Sequence, residues 1–475
     1  MDMKAFAVYG PPGCGKTTEM LRRVEQAKGK YKTSEICFLS FTKAGAAEAL
    51  KRLGITKSDK ISTIHSMAYR LCGIVKESVV DPPKLKKFSD RTGFRFKGQS
   101  NDTSEQMELG DMYMSILAKA TNKRSVLKDE YYHSERPGDW AGFEFFCRAY
   151  RDWKRANGYI DFDDMLRKYL ILPSPHGARI IFVDEAQDLS ALQWAVIEKM
   201  IEIGSVDEVH IAGDDDQAIY EWSGASAHGM EEFERRHAAE RTILNQSWRV
   251  PISVHEIAVR LANTIENRVP KVYLPRSERG VVRRISRFDP KSVVHGEDIL
   301  ILCRNYVSRK SIEDELIRHR IPYRNEGGYP SLFSTRVADA IRIFNRLKAG
   351  GDVSQPEIDK MIFVANDRTK AELSTRNLGP MLERGVTRSF VIPNFQVDFY
   401  READLDAEPT IRLSTIHSAK GREADRVILH TGLTLKTIRD MDVNGDAEAR
   451  VWYVGVTRAR QTLEILEDLN GYNIR

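Results

Sequence analysis

Short runs of continuous apolar residues alternate along the chain with stretches in which apolar positions recur every three or four residues. Phe6–Tyr9, Glu35–Ser40, Arg179–Val183 and Val209–Ala212 read as short buried strands. Thr17–Lys28, Ala44–Leu53 and Ala191–Ile203 carry the helical period between them. Apolar strands separated by helices predict a parallel sheet covered on both faces. The rhythm breaks after Pro82-Pro83, where Gln106–Thr121 and Gly142–Arg155 read as helices of an insertion. It resumes after Arg249 with Val281–Ile285, Asp298–Leu302, Thr410–Leu413 and Arg426–Leu429. Residues 330–408, with Gly350-Gly351 and several prolines, read as a second insertion. The expected fold class is α/β, with two parallel-sheet lobes that each hold a mostly helical insertion. The first lobe is assigned 1–80 and 151–250 around the insertion 81–150. The second is assigned 251–329 and 409–475 around 330–408.

Composition narrows this picture modestly. Of 475 residues, 41% are hydrophobic, enough for sizeable cores, and 30% are charged. No run of about 18 apolar residues is present, so no membrane span is expected. The first strand begins so near Met1 that a cleaved leader is not expected. Five scattered cysteines lack metal or disulfide spacing and suggest a reducing, cytoplasmic compartment. A net charge of +5 permits a polyanionic partner without requiring one, because basic and acidic residues are interspersed. Ser62-Thr-Ile-His-Ser66 recurs as Ser414-Thr-Ile-His-Ser418, which chance and lobe duplication explain equally well on sequence alone.

Chemistry enters with Gly10-Pro11-Pro12-Gly13-Cys14-Gly15-Lys16-Thr17-Thr18, a strand-to-helix loop of the kind that cradles nucleotide phosphates. Its glycines let backbone N–H groups approach, and the helix N-terminus adds positive potential. Lys16 is expected at the β- and γ-phosphates and Thr17 on Mg²⁺. Cys14 reads as a small filler. Asp184 and Glu185 end an apolar strand, where one acid can hold the Mg²⁺ water shell and its neighbour can take a proton from the attacking water. Arg249 and Arg458 are candidates to stabilise charge on the γ-phosphate, although a lone arginine is more often a surface or salt-bridge residue. Phe41, Tyr220 and Trp222 follow strand ends and could stack bases, against the alternative of core packing.

These residues fall in an ordered set. It comprises Gly10–Thr18, Phe41-Thr-Lys-Ala-Gly-Ala-Ala-Glu48, Thr63-Ile-His-Ser66, Asp161-Phe-Asp-Asp-Met-Leu166, Val183–Asp188 and Gly213–Ala225. It continues with Asn245-Gln-Ser-Trp-Arg249, Ile301-Leu-Cys-Arg304 through Gly327-Gly328, Leu413–Glu423 and Val451–Arg460. With it the chain resembles the superfamily 1 helicases of the UvrD/Rep type over nearly its whole length. The resemblance implies two RecA-like lobes with ATP between them, Mg²⁺ as cofactor, and an ATP-dependent motor that moves 3′ to 5′ on single-stranded DNA and unwinds forked duplex. It assigns Gln217, Arg249 and Arg458 to the γ-phosphate, Glu423 to the ribose and Trp248 to stacking on adenine. It places Phe41, Thr63, His65, Tyr220, Trp222 and His417 along the DNA strand.

Departures accompany it. Ser223 stands where the family often has an arginine, and Arg422 and Ala424 flank Glu423 where the family usually has Leu and Phe. The second insertion is short for the family. The family's upstream glutamine, which reads adenine, has no place before Phe6, so weak discrimination between ATP and GTP is expected. A protein-stripping translocase, or an ATP-gated DNA-binding subunit of a nuclease or defence complex, are the alternative readings. Compact size suits a phage or mobile-element enzyme.

Overall fold

The computed structural model describes residues 3–56, 58–97, 108–293, 296–326, 332, 335–402, 405 and 409–474. The chain divides into two compact units. Each is built on a sheet of six strands, all parallel.

The first unit comprises Met1–Val250, Val259–Ser277 and Asp440–Tyr453. Its strands are β1 Lys4–Tyr9, β2 Ile36–Ser40, β3 Ile61–Thr63, β4 Ile180–Asp184, β5 Glu208–Gly213 and β6 Glu240–Ile243. They lie in the order β3-β2-β4-β5-β1-β6. Period-two alternation sends side chains to opposite faces. Ala7, Leu39, Val183 and Ile211 pack on one side with Ile64, Leu166, Ile197 and Met200. Val8, Phe38, Phe182 and Ala212 pack on the other with Met20, Leu21 and Val24. All of β4 is buried, as expected for a central strand covered on both faces. Strand register aligns the last residues of neighbouring strands: Ser40 lies opposite both Thr63 and Asp184, and Tyr9 lies opposite Gly213. The carboxyl ends of five strands therefore meet at one edge.

Between β3 and β4 the helices Pro82–Thr92, Leu109–Lys123, Leu127–Tyr132 and Trp140–Asn157 form an insertion. Its separate core is dominated by aromatics, among them Phe88, Tyr113, Phe143, Phe146, Tyr150 and Trp153. The start of the helix expected at 106–121 lies outside the described residues.

The second unit comprises Pro251–Ala258, Glu278–Arg439 and Val454–Arg475. Its strands are β7 Val281–Ile285, β8 Ile299–Cys303, β9 Arg324–Asn325, β10 Ile411–Thr415, β11 Ala424–His430 and β12 Ala459–Leu466, in the order β7-β12-β11-β8-β10-β9. Central β8 is buried throughout. Short helices between Arg336 and Glu402 pack Phe344, Met361, Leu373 and Phe399 into this unit's core. Gly327-Gly328 lie outside the described residues, as does part of the segment 330–408.

The units divide the chain differently from the expected break after residue 250. Val259–Ser277 and Asp440–Tyr453 group with the first sheet. Segment 259–277 carries Arg268 and Lys271, which pair with buried aspartates at the end of β5, and segment 440–453 carries Arg450, which donates to the Asp215 carbonyl and pairs with Glu221.

Candidate nucleoside-triphosphate site

The first unit gathers its polar residues at the carboxyl edge of the sheet, where open α/β folds bind ligands. β1 runs into the loop Gly10–Gly15, which opens the helix Lys16–Ala27. Gly13 and Gly15 have positive φ (75° and 84°), a region that side-chain-bearing residues rarely adopt. A Cβ on Gly13 would collide with the Cβ of Arg249 and lie 2.9 Å from Ser247 Oγ. Lys16 is buried, and its Nζ donates to the carbonyls of Gly10 (2.7 Å) and Pro11 (3.4 Å). Burial acts against its charge, but the acidic groups Asp214, Glu185 and Asp184 favour it, and its pKa is raised. Burial likewise raises the Cys14 thiol, which keeps it protonated and fits its reading as a filler. Thr18 is exposed, with its hydroxyl accepting from Arg52 (3.0 Å).

Two acids complete this edge. Thr17 Oγ1 donates to Asp184 Oδ2 at 2.8 Å, which brings together the two residues expected to hold a metal. Burial, then the neighbouring Glu185, pushes Asp184 up to about 6. Glu185 has a left-handed backbone (φ 55°), which costs a non-glycine residue about 1 kcal/mol. Such strain is typical of functional turns. Gln187 Nε2 donates to Glu185 Oε2 (2.6 Å) and Asp188 Oδ2 (3.2 Å), while its Oε1 accepts from the Asp214 N–H (3.1 Å). Gln217 Nε2 donates in turn to Asp214 Oδ2 at 2.7 Å. One hydrogen-bonded chain thus runs from Glu185 to Gln217.

The loop bearing Trp248 and Arg249 is stitched to the phosphate loop. The Trp248 N–H donates to Gly13 O (2.9 Å), and Ser247 Oγ donates to Pro12 O (2.8 Å) while accepting from the N–H groups of Arg249 (3.3 Å) and Val250 (3.1 Å). Trp248 itself is 74% exposed, so its ring is presented rather than packed.

The aromatic candidates form a row. Phe41 meets Tyr220 with ring centroids 5.3 Å apart, and Tyr220 meets Trp222 at 6.5 Å. Trp222 is 45% exposed, which argues against a core role. On the adjacent strand end, Thr63 caps the helix Ile64–Leu71 by accepting from the Ser66 N–H (3.2 Å). Burial lowers His65 to about 4, so its imidazole is neutral. Sequence alone assigned no role to Phe162, which packs edge-on against His65 at 5.9 Å and is 60% exposed.

In the second unit, Thr415 repeats the Thr63 turn. Its Oγ1 accepts from the Ser418 N–H (3.3 Å), and Ser414 Oγ donates to Thr415 O (3.0 Å) as Ser62 Oγ does to Thr63 O (3.2 Å). The sequence echo is therefore a repeated strand-end turn, and it leaves His417 half-buried. Glu423 lines an open pocket with Asp298, Arg324 and Arg412. Arg458 is buried, donating to Val454 O (2.9 Å) and Thr457 Oγ1 (3.2 Å).

Sequence reasoning missed the residues that tie these loops together: Gln187, Ser247 and three cations. Asp214, Asp215 and Asp216 are all buried. Lys271 and Arg268 pair with their carboxylates, and Arg450, from the other segment that joins the first unit, donates to the Asp215 carbonyl and pairs with Glu221. Three successive acids at the end of an apolar strand were the available signal, since buried charges need partners.

A glycine-rich loop at a helix N-terminus, with a buried lysine and a Thr–Asp pair on the sheet edge, defines a P-loop nucleotide-binding unit. The chain belongs to the UvrD/REP helicase family. The UvrD/REP helicase N-terminal domain matches residues 3–238, and the UvrD-like helicase C-terminal domain matches 390–467. It is 26% identical over 384 residues to DNA helicase II of Haemophilus influenzae, covering 70% of this chain and 51% of that protein. It is 25% identical over 389 residues to the ATP-dependent DNA helicase UvrD1 of Mycobacterium tuberculosis (strain ATCC 25618 / H37Rv), covering 72% and 50%. It is 25% identical over 365 residues to the ATP-dependent DNA helicase PcrA of Bacillus subtilis, covering 66% and 47%. The chain spans about half the length of the curated relatives it matches. Among the described residues no helix is long and apolar enough to cross a membrane.

Proposed function

We propose that this protein is an ATP-dependent motor that moves 3′ to 5′ along single-stranded DNA and separates strands at a fork. The observation that carries the reading is the loop after β5. It holds Gln217 in the hydrogen-bonded chain from Glu185, and three residues later it supplies Tyr220 to the aromatic row. On this proposal that one loop is what couples the phosphate end to the groups that would stack bases.

In this reading Lys16 and the glycine-rich loop bind the phosphates, and Thr17 and Asp184 hold Mg²⁺, Asp184 through water. Mg²⁺ supplies charge neutralisation at the β- and γ-phosphates. Glu185 takes the proton of the attacking water. Gln217, Arg249 and Arg458 stabilise charge on the γ-phosphate, Trp248 stacks on the base and Glu423 holds the ribose. Phe41, Tyr220 and Trp222 stack DNA bases, and Thr63, His65 and His417 line the same strand. Polarity rests on the family resemblance. The limits 81–150 and 330–408 stand as the proposed insertions. All five cysteines are free thiols, in keeping with a cytoplasmic site of action.

The test is ATP hydrolysis with and without single-stranded DNA, beside unwinding of forks with 3′ or 5′ tails. DNA-stimulated hydrolysis with unwinding from a 3′ tail is expected. Hydrolysis indifferent to DNA would sink the proposal. Displacement of streptavidin without unwinding would replace it by a protein-stripping translocase.

A further inference from the structure

We infer that Lys271 is a positioning residue for ATP hydrolysis: it holds Asp214, and through Asp214 the side chain of Gln217, while its own stretch of chain carries the loop of Arg249. The inference rests on the proposed assignment of Gln217 and Arg249 to the γ-phosphate. It concerns residues to which that assignment gives no part.

Lys271 is a lysine with 1% of its side chain exposed, inside a ring of carboxylates. Its Nζ lies 3.1 Å from Asp214, 2.5 Å from Asp215 and 2.9 Å from Asp216. Around it, Arg268 forks onto Asp216 (2.8 and 2.5 Å), and the Val269 N–H donates to Asp215 Oδ2 (2.7 Å). Arg450 donates to Asp215 O (3.1 Å) and to Glu221 (3.1 Å). Surface ion pairs contribute little, but a buried one that loses a partner leaves an uncompensated charge. Lys271 is therefore the countercharge that all three carboxylates of the turn Asp214–Asp216 share.

The connection to chemistry runs through a single carboxylate. Lys271 holds Asp214 Oδ1, and Gln217 Nε2 donates to Asp214 Oδ2 (2.7 Å). The Asp214 N–H is fixed by Gln187, which also holds Glu185. On the other side, the chain just beyond Lys271 pairs with the arginine loop. The Leu274 N–H donates to Asn245 O (2.9 Å), Ser247 N–H to Leu274 O (2.9 Å) and Arg276 N–H to Val250 O (3.0 Å). Residues 268–276 thus brace the Gln217 turn at one end and the Arg249 loop at the other. The partners of the Lys271 ammonium are these aspartates rather than the phosphate loop, so nucleotide affinity and turnover should separate when it is changed.

Lys271→Met alone risks unfolding, because three carboxylates would share one cation fewer. Pairing it with Asp215→Asn restores the charge balance, and the carboxamide oxygen can still accept from Val269. Wild type, this double variant, Gln217→Ala and the triple variant would be compared by DNA-stimulated ATP hydrolysis, affinity for a fluorescent ADP analogue and thermal unfolding. The double variant is expected to melt cooperatively, keep ADP affinity within about twofold and lose turnover by about tenfold or more. The triple variant should be no slower than Gln217→Ala by more than about twofold, because residues acting through one another are not additive. Double-variant turnover within about threefold of wild type, or losses that multiply in the triple, would overturn the assignment. So would loss of ADP affinity or of the cooperative melt, which would make Lys271 a support of the whole unit. A wild type that hydrolyses no ATP would instead sink the functional reading and leave Lys271 with nothing to position.

Discussion

Gln187→Leu removes a carboxamide while keeping most of the side-chain volume, and its cost can be worked from three hydrogen bonds. Two go from Nε2 to the carboxylates of Glu185 and Asp188, and the third is accepted by Oε1 from the Asp214 N–H. Bonds to charged groups are worth about 1.5–3 kcal/mol each, and a buried N–H left without an acceptor costs about 1–3 kcal/mol. The sum is about 4–9 kcal/mol. Glu185 is only half-buried, so water can replace part of one bond, and about 3–5 kcal/mol of lost stability is the expected value. Turnover should fall by about tenfold to a hundredfold, because Glu185 loses a partner that aims its carboxylate and Gln217 loses its tie to it. ADP affinity should barely change, since the bonds from Lys16 to Gly10 and from Thr17 to Asp184 are untouched. Urea unfolding measures the first quantity, steady-state hydrolysis with saturating single-stranded DNA the second, and a fluorescent ADP analogue the third. A stable variant with turnover within about threefold of wild type would refute the claim that this glutamine couples the two loops.

Trp222→Ala should weaken single-stranded DNA binding by about 1–3 kcal/mol while leaving hydrolysis without DNA nearly intact; loss of stability first would return Trp222 to the core. Gly13→Ala should lower both nucleotide affinity and turnover, because its Cβ would drive into Arg249, whereas Gly54→Ala, with φ 65° and open space around it, should show only backbone strain of about 1 kcal/mol. Equal effects of the two in a hydrolysis assay would contradict that account. Burial, then Arg23, lowers His210 to about 4, against about 6.5 when unfolded, so the unfolded chain binds the extra proton between those values. Its stabilising contribution is full above about 6.5 and is lost as pH falls toward 4, on the order of 3 kcal/mol in all. His210→Phe, which keeps the stack between Phe6 and Phe182, should flatten acid unfolding over that window, and an unchanged profile would rule the histidine out.

Much of this molecule is readable along the chain because its central strands are buried on both faces. Ile180–Val183 and Ile299–Leu302 can hardly be anything else, and each marks a sheet. The strands without a signature are the short β3, β6 and β9, and β12. In β12 a buried Glu464 interrupts the apolar run and is satisfied by Arg426 at 2.9 Å. The phosphate loop and the two acids were likewise legible, since each is a local pattern, whereas only the fold brings Phe41 to Tyr220. Lys271 was not. It acts on Asp215 from 56 residues away, and in Val-Pro-Lys-Val it looks like an ordinary surface charge. Ser247 was hidden for the opposite reason: it sits between Gln246 and Trp248 as a small residue, and only the fold brings Pro12 to its hydroxyl.

The dispersal of the first unit along the chain has a consequence for how the protein is made. Synthesis is directional, at about 5–20 residues per second, and domains tend to fold as they emerge. By residue 250 all six strands of the first sheet and the three adjacent aspartates after β5 have been synthesised, but not Lys271 or Arg268, which pair with them. Lys271 and Arg268 follow soon afterwards, yet Arg450 arrives only after the entire second insertion and most of the second sheet. The nascent first unit therefore waits, with Glu221 and the Asp215 carbonyl still lacking Arg450, while its neighbour is being built. Release of the phosphate-binding half in finished form depends on translation passing residue 453.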